Sequence, residues 1–134
     1  ANQAGKAINI SKTTAAHAWS YAFTSLKGIP HGHAVWLTLP IIFELHYERS
    51  CDRDLYFRSN MEQLCQALNL ELELEKSSQL RGYLSEFGIS YDFNQLKIDA
   101  SERKSLSSSV NMERMKNNPI SFSTEEINQI FELN

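Results

Sequence analysis

The Gly28-Ile29-Pro30 break constrains this chain more than any other feature, because it divides two helix-compatible segments that are both rich in apolar residues. Glycine ends a helix readily in the left-handed region and proline suits the first turn of the next, so the break reads as one helix ending and another beginning. Upstream, Thr13 or Thr14 is placed to cap a helix through about Lys27. In it Ala16, Trp19, Tyr21, Phe23 and Leu26 occupy so many positions that most of the surface must be covered. Downstream, a helix is predicted from about His31 to Tyr47, bent at Pro40 where a backbone donor is lost.

The remainder extends the helical pattern. Ala1 to Ile10 reads as a helix whose beginning is missing, since Ala4, Ala7, Ile8 and Ile10 start without a capping signal. A polar connector, Glu48 to Asp54, precedes a helix from about Leu55 to Leu68 with Met61, Leu64, Cys65 and Leu68 on one face. Leu70-Glu71-Leu72-Glu73-Leu74-Glu75 alternates with the period of a strand. Leu and Glu are helix formers, however, and no β-branched residue or second strand supports pairing, so a helix end or extended linker is predicted. Ser77 or Ser78 starts a helix that Gly88 ends, Ile98 to about Asn111 is helical, and Ser123 with Glu126 forms a capping box before Ile127, Ile130 and Phe131. The prediction is an all-α helical bundle, a single domain over residues 1–134.

Composition excludes several functions. A net charge of −3 with scattered basic residues gives no phosphate-binding stripe, and Arg103-Lys104 is too short to make one, so no nucleic acid is expected. Ala34 to Leu45, the longest apolar run, is interrupted by Pro40 and Glu44 and falls short of a membrane span. Cys51 and Cys65 show no CxxC spacing and are expected to be buried thiols in a cytoplasmic protein. None of the five glycines forms a phosphate-cradling G-x-G-x-x-G or P-loop, so no nucleotide fold is encoded in these residues.

Three of the four histidines surround the break. His17 lies mid-helix, and His31 lies in the first turn of the next, where the positive end of the helix dipole disfavours the imidazolium and leaves the ring available to a cation. Helices folded straight back through so short a turn would separate the two rings by roughly 20 Å. The rings meet only if the chain after Lys27 loops back toward His17. His31 and His33 are two apart and share no helix face, and His46 stands among charges that look exposed. Two imidazoles are also too few for a catalytic metal, which takes three or four protein groups.

The segment from Ala4 to Pro40, with His17 followed fourteen positions later by the histidine of Pro30-His31-Gly32 and then by Leu39-Pro40, resembles the metal-binding segment of the iron-containing (group III) alcohol dehydrogenases. The resemblance continues at Phe87-Gly88-Ile89 and at Asn118-Pro119 ahead of Thr124-Glu125-Glu126. Its wording around Ser11 to Thr14 and Asn111 to Pro119 is similar to the phosphonoacetaldehyde reductase-like branch. It implies the helical C-terminal metal-binding domain of an enzyme whose N-terminal dinucleotide-binding domain lies outside these residues. It further implies Fe2+ or Zn2+ in a cleft between the domains, NAD(P), and a small alcohol or aldehyde substrate. His17 and His31 would be two of four metal ligands; the family's other two, an Asp and a His four apart on an earlier helix, have no counterpart here. Tyr21, one turn after His17, stands where many members carry a further histidine facing the cofactor, and a tyrosine there either touches substrate or nicotinamide or simply packs. Lys12 either meets an anionic substrate group or, as is commoner for such a residue, is a solvated lysine at a helix edge.

The expected function is therefore the metal-binding half of an NAD(P)-dependent alcohol dehydrogenase or aldehyde reductase, inactive by itself. The alternative is a non-enzymatic helical interaction module derived from that family, and a third reading is a homodimer gathering metal from two copies of His17 and His31. Apolar surface left bare by a missing domain is expected to cause self-association or formation of a homo-oligomer.

Overall fold

In the computed structural model, residues 2–132 are described. They form eight helices: α1 (Asn2–Ile10), α2 (Ala15–Lys27), α3 (His31–Ser50), α4 (Leu55–Ala67), α5 (Lys76–Glu86), α6 (Ala100–Ser108), α7 (Met112–Met115) and α8 (Thr124–Glu132). No strand occurs among the described residues, as expected of an all-α chain. Helix α3 packs on α2, α4 and α5, α6 packs on α8, and α2 also touches α6 and α7.

The break behaves as its residues require. Gly28 adopts a positive φ of 67°, where a side chain would be strained, and its amide bonds back to Thr24 O at 3.1 Å. Pro30 is extended at ψ 137° and immediately precedes α3. The long α3 continues through Pro40, which is buried, and ends at Ser50 rather than at Tyr47. The start of α2 differs from expectation. Thr14 holds the cap position without a side-chain bond, and the Ala15 amide instead donates to Asn118 Oδ1, 103 residues away, at 3.3 Å.

The larger core joins α2, α3, α6, α8 and the loop between α5 and α6. Trp19, Phe23, Phe93 and Phe131 are fully buried, with the Phe23 and Phe131 rings stacked at 5.6 Å and Trp19 tilted against Phe131 at 5.5 Å. Each such ring contributes roughly 1.5–3 kcal/mol of hydrophobic stabilisation. Coverage of α2 is less complete than its composition implies, for Tyr21 and Leu26 are 44% and 58% exposed. A smaller core holds Phe43, Met61, Cys65, Leu70 and Leu80. On α4, Met61 and Cys65 point inward but Leu64 is exposed, and Cys51 is exposed too, contrary to the expectation of two buried thiols.

The Leu-Glu alternation is a turn region and not a strand. Leu70 is buried while Leu72 and Leu74 are exposed. Lys76 folds underneath, its buried ammonium donating to Leu72 O at 2.7 Å and to Leu74 O while lying 4.3 Å from the Tyr47 ring centroid. Helix α5 begins at Lys76, and the Ser77 amide is received by Glu44 Oε2 of α3 at 2.8 Å. The helix expected over Ile98 to Asn111 is shorter and begins at a capping box of Asp99 and Glu102, which composition did not single out. Asn111 caps the separate short α7 by accepting from the Arg114 amide. The Ser123–Glu126 box forms as predicted, and Ile127, Ile130 and Phe131 are buried.

Candidate metal centre

The Gly28–Pro30 connection joins α2 directly to α3. It sets the start of α3 beside residues 17–21, so that His31 Nε2 lies 3.1 Å from His17 Nδ1 with the ring centroids 4.9 Å apart. The separation of roughly 20 Å expected for a simple antiparallel hairpin does not arise. Two nitrogens bound to one zinc at about 2.0–2.1 Å lie about 2.9–3.4 Å from each other across angles of 90–110°. The observed spacing suits a shared cation.

The donor set supports half a site. Among the described residues no group of three or more His, Cys, Asp or Glu side chains converges on a point, so the imidazole pair would fill at most two positions of a metal site and further ligands would come from elsewhere. The pair fits a divalent metal in chemistry as well as spacing. His17 has a pKa lowered chiefly by burial, then by the neighbouring His31 and the Arg114 guanidinium, which favours the neutral ring a metal requires.

Three side chains complete the surroundings. Tyr21 lies 5.7 Å from the His31 ring, half exposed, so it is not a core tyrosine. Its hydroxyl oxygen accepts from Arg114 Nη1 at 2.9 Å, and the guanidinium lies 4.4 Å from the ring centroid. Arg114 escaped the sequence reading because it lies 93 residues from Tyr21, and only the packing of α7 on α2 brings it there. Ser20 was missed as well. It is fully buried, donates to His17 O at 2.9 Å and lies 3.3 Å from His31 Nδ1. Its position three after His17, on nearly the same helix face, was the available signal.

The other candidates lie apart. Lys12 is exposed, and among the described residues no hydrogen bond or ion pair joins it to the cluster. His33 Nε2 donates to Ser90 O, tying α3 to the loop after α5. His46 does not stand among exposed charges as expected. It stacks on Phe122 at 6.0 Å and accepts from Asn118 Nδ2 at 2.9 Å, and burial, followed by the Arg49 guanidinium, lowers its pKa to about 4. No helix of the described residues is long and apolar enough to cross a membrane.

The described residues thus form a wholly helical domain that brings two imidazoles together at Pro30-His31-Gly32. Over residues 1–134 it matches the Fe-containing alcohol dehydrogenase family, C-terminal, and it belongs to that family. Comparisons with curated proteins and with solved structures return no match.

Proposed function

We propose that this chain is the metal-binding half of an NAD(P)-dependent alcohol dehydrogenase or aldehyde reductase, with His17 and His31 supplying two of the ligands to Fe2+ or Zn2+. The observation that carries the reading is the 3.1 Å approach of His31 Nε2 to His17 Nδ1, from residues fourteen apart, in a chain of this family. A cation held there would supply Lewis-acid polarisation of a substrate oxygen during hydride transfer. The protein's own part is to hold the two rings in place, to favour the neutral form of His17, to border the site with Tyr21, and to place the Arg114 charge beyond it. Remaining ligands and the nicotinamide site belong to a nucleotide-binding domain outside these residues, in a cytoplasmic enzyme acting on a small alcohol or aldehyde.

The test is to assay the gene product that contains this chain together with such a domain, using NADH or NADPH, a panel of small aldehydes, and iron or zinc. Metal-dependent turnover that falls at least about 100-fold in H17A and in H31A is expected, since each variant removes a ligand. Activity retained by both variants would refute the assignment. The non-enzymatic reading would instead require a natural product without such a domain, and intact mass measurement of that product decides between them.

A further inference from the structure

Among the described residues, Ser20 is a fully buried polar side chain whose hydroxyl meets both the His17 carbonyl and the His31 ring. Its hydroxyl lies 2.9 Å from His17 O, an atom that can only accept, so the hydroxyl hydrogen is committed to that carbonyl. The same oxygen lies 3.3 Å from His31 Nδ1 and has only lone pairs left to offer, which requires that the proton of the neutral His31 ring sit on Nδ1. Nε2 then carries the ring's lone pair and faces His17 Nδ1 at 3.1 Å, where in the absence of a cation it accepts the His17 proton.

The geometry points to Ser20 as a positioning residue that holds His31 in its Nδ1–H form and so keeps Nε2 free for a divalent cation. Free histidine prefers the opposite tautomer, with the proton on Nε2, so Ser20 reverses an intrinsic preference. Among the described residues, Tyr21 meets the His31 ring through its own ring and His17 meets Nε2, so neither sets the proton on Nδ1. Metal-bound histidines are commonly fixed in this way by an acceptor at the second nitrogen, and such partners change metal affinity about 10–100-fold. A serine here acts through a hydroxyl whose acceptor role is enforced by a backbone carbonyl of the same helix.

The consequence for metal binding rests on the proposed role of the histidine pair, but the tautomer does not, and the experiment separates them. The chain is labelled with 15N-histidine and its two-bond 1H–15N spectrum recorded without metal above about pH 8, where neutral rings prevail. His31 is expected to show a protonated Nδ1 and an unprotonated Nε2. S20A should return the ring to the Nε2–H form with the backbone spectrum otherwise conserved, S20T should restore it, and zinc affinity should fall roughly tenfold in S20A and recover in S20T. An Nε2–H ring in the parent chain overturns the proposal without any variant having to fold. An unchanged tautomer in S20A, or a changed tautomer with undiminished zinc affinity, overturns it too. Zinc binding absent from parent and variants alike, with the tautomer behaving as described, would remove the metal reading and leave Ser20's control of the ring standing.

Discussion

His46 shows at a single residue how environment overrides what a sequence suggests. Surrounded in the chain by Glu44, Glu48 and Arg49, it reads as a surface histidine, yet Phe122 and Asn118 enclose it from the far end of the chain. Its pKa is about 4 in the fold and near 6.5 in the unfolded chain, so the folded state binds fewer protons between those values and acid favours unfolding. Stability is complete above about pH 6.5 and is lost as pH falls toward 4, by about 2 kcal/mol between about pH 7 and pH 5. His17, also lowered, acts in the same direction, whereas Glu75, Glu102 and Glu126, all lowered by hydrogen bonding, lose their contributions only at more acid pH. Thermal melts from pH 7 to 5 should show this slope in the parent chain and a shallower one in H46Q. Equal slopes would show that His46 is not the main source.

Among the elements, helix ends were legible wherever their chemistry is local. Gly28, Pro30, Gly88 and the Ser123–Glu126 box mark boundaries within a few residues, as does the absence of β-branched residues in the Leu-Glu run. Caps supplied from a distance were invisible, because spacing carries no information about them: Asn118 serves the start of α2, and Glu44 serves the start of α5. The meeting of His17 and His31 was likewise hidden in the path of three connecting residues, and the family resemblance paired them before geometry did. Asn118 is predicted to matter most. It accepts from the Ala15 amide and donates to both His46 and Ile120 O, so N118A should destabilise the fold by about 1–3 kcal/mol, measured by urea denaturation. A loss within about 0.5 kcal/mol would place the α2 cap elsewhere.

Across the whole molecule, apolar side chains remain on the surface in numbers that the two cores do not require. Helix α1 buries none of its residues, and Ile8 and Ile10 are 59% and 91% exposed; Leu55, Tyr56 and Phe87 are more than three-quarters exposed. Such surface favours association. Sedimentation velocity is expected to show mass rising with concentration, and the double variant I8K/I10K should reduce it; a monodisperse monomer at high concentration would exclude self-association. The burial of Phe131 against Trp19 and Phe23 shows that the last helix is integral to the larger core. F131A should therefore cost about 3–5 kcal/mol, a loss readily seen in denaturant melts.

The claim on which the account depends is that His17 and His31 together hold one cation as half of its ligand set. Calorimetric titration of zinc into the chain tests it most directly. One site of micromolar or weaker affinity, abolished in H17A and in H31A, is the predicted result; nanomolar binding, or binding that both variants retain, would contradict it.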